Sequence, residues 1–131
     1  MSFQRTTEHD AIWAQSLKKP LVYVSGPITL GPLMKNIRRA LDAAEELSNL
    51  GFVPIVPQFS CFWDLVHQEH DHRFWLGMDI AIVAKCDYLL RLDGESRGAD
   101  EEVAFARSRS IPFFYTVGEL VAYVRNYGWD C

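Results

Sequence analysis

The sequence predicts a single α/β domain in which a mostly parallel sheet is covered by helices on both faces. Its 131 residues, 49% apolar and 13% aromatic, hold enough material for one compact core and too little for two. Short runs of β-forming residues alternate with stretches of helical period, and the first two runs stop at the breakers Gly26-Pro27 and Pro57. A strand that returns through a helix to a parallel neighbour crosses over in the right-handed sense, so the alternation places helices over the sheet.

The elements follow in order. Residues 1–19 form a polar leader, and the domain occupies residues 20–131. Strand one is Leu21-Val22-Tyr23-Val24-Ser25 after Pro20. From Asn36, the residues Ile37, Ala40, Leu41, Ala44 and Leu47 recur at spacings of three and four, and Gly51 closes the helix. Residues 52–56 make strand two. Residues 58–72 show neither period and carry many aromatics, which predicts a functional or interface loop. Residues 74–85 are helical, residues 87–92 form a buried third strand, and residues 98–107 are helical with Val103 and Ala106 inward. Residues 111–115 make strand four. Residues 117–127 form a last helix with Leu120, Val121 and Val124 on one side. About four to five strands are expected.

Charge and composition exclude several functions. A formal charge of −4 and a pI near 5.5 argue against a nucleic-acid polymer as partner, because such binders concentrate Lys and Arg on one face. A single nucleotide stays compatible. Cys61, Cys86 and Cys131 are odd in number and form no CxxC pair, so they read as reduced thiols. The start carries early acids and no signal-like apolar core, and no run approaches the ~18 apolar residues of a membrane span. No membrane association is expected, and the cytoplasm is the default location. His67, His70 and His72 with Asp71 match no standard zinc spacing and read as a solvated loop, so neither metal nor cofactor is expected.

In open parallel sheets ligands sit beyond the carboxyl ends of the strands. Three loops lie there: Ser25-Gly26-Pro27-Ile28-Thr29, Pro57-Gln58, and residues 93–98. The third leads into Ser96-Arg97-Gly98-Ala99-Asp100-Glu101-Glu102. Ser96 can cap the coming helix, and Gly98 allows close approach to the unpaired N–H groups of a helix start, which favour an anion. Glu102 lies about one turn in, where its carboxylate can point back toward that anion. Acidic residues in a first turn also simply complement the helix dipole, and the spacing leaves both readings open.

Tyr23-x-x-Gly26 with Pro27-Ile28, then Asp79, Asp87, and Ser96-x-Gly98-x-x-x-Glu102 with Ala106 together resemble the nucleoside 2-deoxyribosyltransferase superfamily, including the 2'-deoxynucleoside 5'-phosphate N-hydrolases. The resemblance covers residues 21 to 115 or so and implies a flavodoxin-like fold. It implies Glu102 as the nucleophile that attacks the anomeric carbon, where the leaving base creates oxocarbenium character that a carboxylate stabilises or captures. It implies Asp79 as the carboxyl group that assists base departure and activates the acceptor. Tyr23 contacts Glu102 or the sugar, or else is a core tyrosine with its hydroxyl bonded. Asp87, at a helix-to-strand junction, reads as structural.

Nucleoside-specific transferases of this superfamily carry aspartate where this chain has Ser96, whereas the nucleotide hydrolases resemble it in carrying serine. A hydroxyl tolerates a phosphate nearby and a carboxylate repels it. Ser25, Gly26, Pro27, Ile28, Thr29, Ser96, Arg97 and Gly98 then form the substrate cradle, with Arg97 as charge partner. Two features depart from the hydrolases: Pro27 lacks an N–H, and Thr29 stands where they have arginine. The expected activity is hydrolysis of the base–sugar bond of a nucleoside 5'-monophosphate. The alternatives are deoxyribosyl transfer between bases and a non-catalytic nucleotide-binding module. The aromatics Phe59, Phe62, Trp63, Phe74 and Trp75 read for the most part as buried against the core or a partner subunit, with stacking on a base as the other reading. The resemblance also implies a homodimer or larger homo-oligomer with this segment at its interface.

Overall fold

The computed structural model describes residues 2–128, so Cys131 lies outside the described residues. Four strands form one sheet: β1 (Leu21–Ser25), β2 (Val53–Ile55), β3 (Tyr88–Arg91) and β4 (Phe113–Phe114). Their order is β2-β1-β3-β4, and every pairing is parallel. Six helices accompany them: α1 (Thr7–Leu17), α2 (Leu33–Asn49), α3 (Ser60–Val66), α4 (His72–Val83), α5 (Arg97–Ser108) and α6 (Val117–Tyr127). This is the flavodoxin-like arrangement that the sequence predicts.

Alternation along the strands builds two cores, one on each face. Val22, Val24, Tyr88, Leu90 and Phe114 point to the side covered by α2 and α6, where they meet Ala40, Ala43, Leu47 and Leu120. Tyr23 and Leu89 point to the other side and meet Val83 of α4 with Val103 and Ala106 of α5. Because both faces are covered, the strands read as unbroken apolar runs. Each fully buried leucine, such as Leu47, Leu89 and Leu120, contributes about 1.5–3 kcal/mol by leaving water.

The order has a functional consequence at β1. From β1 the chain passes through α2 to the strand on one side, and from β3 it passes through α5 to the strand on the other. Strand order therefore reverses between β1 and β3, and a crevice opens beyond their carboxyl ends. Two glycines let the loops there approach each other. A Cβ at Gly26 would lie 3.0 Å from Leu92 Cβ, and one at Gly94, where φ is +115°, would lie 2.8 Å from Pro27 Cγ.

Several elements differ from the sequence reading. The leader contains α1, closed by a Thr6–His9 capping box, yet it buries no residue. Helix α2 begins one turn before Asn36, since Leu33, Met34 and Lys35 are helix formers without an inward period, and Leu41 is 40% exposed rather than inward. The expected loop at 58–72 folds into a 3-10 turn at Pro57–Phe59 followed by α3, whose own residues are all at least partly exposed. Its aromatics obscured a helix too short to show a period. Strand β4 is confined to two residues, because only Phe113 and Phe114 pair with β3. Among the described residues no helix is long and apolar enough to cross a membrane.

Candidate active site

The crevice beyond β1 and β3 holds a cavity of about 370 Å³. Its floor is Glu102, which is 4% exposed, and its walls come from Gly26, Ile28 and Thr29 after β1, from the start of α5, and from α3 and α4.

Glu102 is held from beneath by β1. The Tyr23 hydroxyl donates to Glu102 Oε2 at 2.8 Å, and the Ser25 hydroxyl donates to Oε1 at 2.7 Å. Tyr23 and Ser25 stand two residues apart, so the pleat puts both side chains on the face that α5 covers. Glu102 reaches them because it follows Ala99 and precedes Val103 and Ala106 on the buried side of α5. The helix starts with the Ser96 hydroxyl accepting from the Ala99 N–H at 3.1 Å, as its sequence position predicts. With both oxygens engaged, the carboxylate is fixed in one orientation toward the cavity.

Asp79, on α4, lines the same cavity. Burial pushes Glu102 up to about 7, with the Asp79 charge adding to it, while the bonds from Ser25 and Tyr23 oppose the rise. Burial likewise pushes Asp79 up to about 6, opposed by its interactions with Glu102 and Tyr23. The Tyr23 phenol is held far above its ordinary value, first by burial and then by the Glu102 charge, so it stays a donor. Two neighbouring carboxyl groups that retain a proton near neutrality can divide acid and nucleophile roles between them.

The other residues singled out in the sequence sort into two groups. Gly26, Ile28, Thr29, Ser96, Arg97 and Gly98 line the cavity. Ser25 and Pro27 do not. Ser25 is fully buried and spends its hydroxyl on Glu102, and Pro27 packs against Gly94, so both position the site instead of touching its contents. Tyr23 is also fully buried and acts on the cavity through its carboxyl groups, Glu102 and Asp79, rather than lining it. Asp87 is structural: its Oδ2 accepts from the Leu21 N–H at 2.8 Å and ties the residue before β3 to the start of β1. Of the histidines, His72 lines the cavity rather than a solvated loop, because α4 begins there. Trp75 lines it too, whereas Phe59, Phe62 and Trp63 are exposed. Among the described residues no group of three or more His, Cys, Asp or Glu could hold a metal ion.

Sequence reasoning missed two supporting residues, Arg91 and Asn36, and gave a third, Gln58, a place in a ligand-side loop but no role. Arg91 is 7% exposed; its Nη2 donates to Gly94 O at 2.9 Å and to Asp100 Oδ1 at 3.0 Å, and its Nη1 donates to Leu92 O. It braces the loop that leads into α5, and an arginine inside an apolar run was the available signal. Asn36 donates to Ile28 O at 3.1 Å and Leu30 O at 2.9 Å, which shapes the loop after β1. Gln58 is fully buried with neither amide atom bonded, one residue from the cavity-lining Pro57.

Known proteins match this chain in two ways. Residues 20–115 match the family described as "Domain of unknown function (DUF4406)". Among solved structures, the chain is similar to a 2-desoxiribosyltransferase from Leishmania mexicana at 14% identity and a TM-score of 0.54, over 72% of this chain and 62% of that one. The chain thus spans less than two thirds of that enzyme, and the likeness is one of fold. No curated protein sequence matches. The family match takes in all four strands, the glutamate and its two hydroxyl partners, and Asp79, so the chain belongs to the DUF4406 family and carries it on a 2-deoxyribosyltransferase-like fold.

Proposed function

We propose that this chain is a nucleotide N-glycosidase that hydrolyses the base–sugar bond of a nucleoside 5'-monophosphate. The observation that carries the reading is the Glu102 carboxylate, held by Tyr23 and Ser25 at the floor of a cavity shared with Asp79. In the proposed reaction Glu102 attacks C1' as the base departs, forming a glycosyl ester and breaking the C–N bond. Asp79 supplies the proton that the base takes with its electron pair. Water, deprotonated by Asp79, then adds to C1' and releases Glu102. The Ser96 hydroxyl, the backbone near Gly98 and the Arg97 guanidinium receive the 5'-phosphate, while Ile28, Thr29 and Trp75 bound the sugar and base.

Transfer of deoxyribose to a second base is the alternative, favoured by the fold it shares with a deoxyribosyltransferase. The two differ only in whether water or a base meets the glycosyl ester. We further propose a homodimer, supported by the exposed Phe59, Phe62, Trp63, Leu65 and Val66 around α3, and work in the cytoplasm, supported by the free Cys61 and Cys86.

The test is incubation with paired nucleosides and 5'-monophosphates, with chromatography for free base, on the wild type, Glu102→Ala and Ser96→Asp. Base release from monophosphates should vanish in Glu102→Ala, and Ser96→Asp should depress kcat/KM for the monophosphate far more than for the nucleoside. Near-normal kcat in folded Glu102→Ala sinks the proposal. Faster turnover of nucleosides, with transfer to an added base, promotes the transferase.

A further inference from the structure

Around Arg97, the mouth of the cavity carries two side chains, His72 and Glu101, that the chemistry above leaves unused. His72, the first residue of α4, and Arg97, the first of α5, both line it. Glu101 reaches between them. Its Oε1 accepts from Arg97 Nε at 2.9 Å and lies 3.6 Å from His72 Nε2. One carboxylate oxygen therefore faces a guanidinium and an imidazole together. Of the other charged groups nearby, Asp71 caps α4 by accepting from the Phe74 N–H and Arg91 holds Gly94 and Asp100, while Asp64 of α3 lines the cavity along with Asp79 and Glu102. The opposite wall has the uncharged Thr29.

We propose that Arg97 and His72 form the donor half of the phosphate subsite, and that Glu101 is an internal stand-in that an incoming phosphate displaces. The identity of the anion rests on the proposed function; the displaceable carboxylate rests on this geometry. An exposed Arg–Glu pair four residues apart on a helix contributes little to stability, so giving it up costs little. Arg97 is 83% exposed and free to turn its fork. A phosphate offers several oxygens where Glu101 offers one, and it matches the planar guanidinium in two parallel bonds. His72 adds a second donor from the facing helix, close enough that a Cβ on Gly98 would lie 3.9 Å from its Cε1. Glu101 then serves selectivity: an uncharged substrate has nothing with which to displace it.

The experiment measures inorganic phosphate binding by calorimetry, and by the shift of the Gly98 amide resonance, for wild type, Glu101→Gln, Arg97→Gln and His72→Gln. Phosphate should bind roughly three- to tenfold more tightly to Glu101→Gln than to wild type, and more weakly by a similar factor to each of the other two. The Glu101→Gln gain should shrink when combined with Arg97→Gln, since the two share one interaction. Equal or weaker binding to Glu101→Gln, or no detectable binding to either protein, overturns the stand-in. If these responses appear while no nucleotide releases base, the proposed reaction fails and the subsite stands. If nucleotides are cleaved and Glu101→Gln binds phosphate no better, the subsite alone fails.

Discussion

Replacing Tyr23 by Phe removes one hydroxyl and leaves the ring in place. The bond lost runs from Tyr23 to Glu102 Oε2 at 2.8 Å, in a setting where both side chains are buried. A bond to an ionised partner contributes about 1.5–3 kcal/mol, and this one favours the carboxylate over the acid. At about 1.4 kcal/mol per tenfold, its loss should raise the ionisation of Glu102 by roughly one to two pH units above its already elevated position near 7. A nucleophile must be ionised, so activity is lost on the acid side, and the acid limb of the kcat profile should move alkaline by that amount. Near neutrality kcat should fall about 10- to 100-fold and recover as pH rises. The assay is base release across pH, with circular dichroism to establish that the variant is folded. Ser25 still holds Oε1, so partial recovery is the expected outcome. An unmoved acid limb, or a loss that is equal at every pH, refutes the idea that Tyr23 acts by keeping Glu102 ionised.

Two further outcomes follow from the same carboxyl groups. Glu102 in the folded protein sits above the ordinary 4.5, so it favours the folded state when protonated; that contribution is fully present below about 4.5 and lost as pH rises toward 7. Glu102→Gln should therefore raise Tm more at alkaline than at acid pH, by up to about 3 kcal/mol of stability, and thermal melts showing no pH-dependent difference would contradict it. Asp79→Asn keeps the shape and cannot carry a proton, so kcat should fall about 10²- to 10⁴-fold, less for bases that leave readily. An equal loss on every leaving group would move Asp79 to a role in holding the sugar.

What could be read in the sequence was what is written in local periods. Apolar runs broken by glycine and proline marked β1 to β3, and spacings of three and four marked α2, α5 and α6, because a covered parallel sheet needs exactly those patterns to bury both faces. Ser96 as a cap was likewise legible, since capping depends on immediate neighbours, and Asp87 read as structural from its place at a helix-to-strand junction although its partner, the Leu21 N–H, lies 66 residues away. Partnerships across the fold were not. That Ser25 serves Glu102 instead of the ligand, and that Tyr23 bonds Glu102 where the resemblance left Glu102 or the sugar open, depends on α5 crossing β1 between residues 77 and 79 positions apart. That His72 belongs to the cavity depends on α4 starting opposite Gly98, and that Arg91 braces a loop depends on where Asp100 falls. Such contacts are set by how helices pack on the sheet, and no periodicity along the chain encodes the distance between two side chains that meet only after the chain has folded.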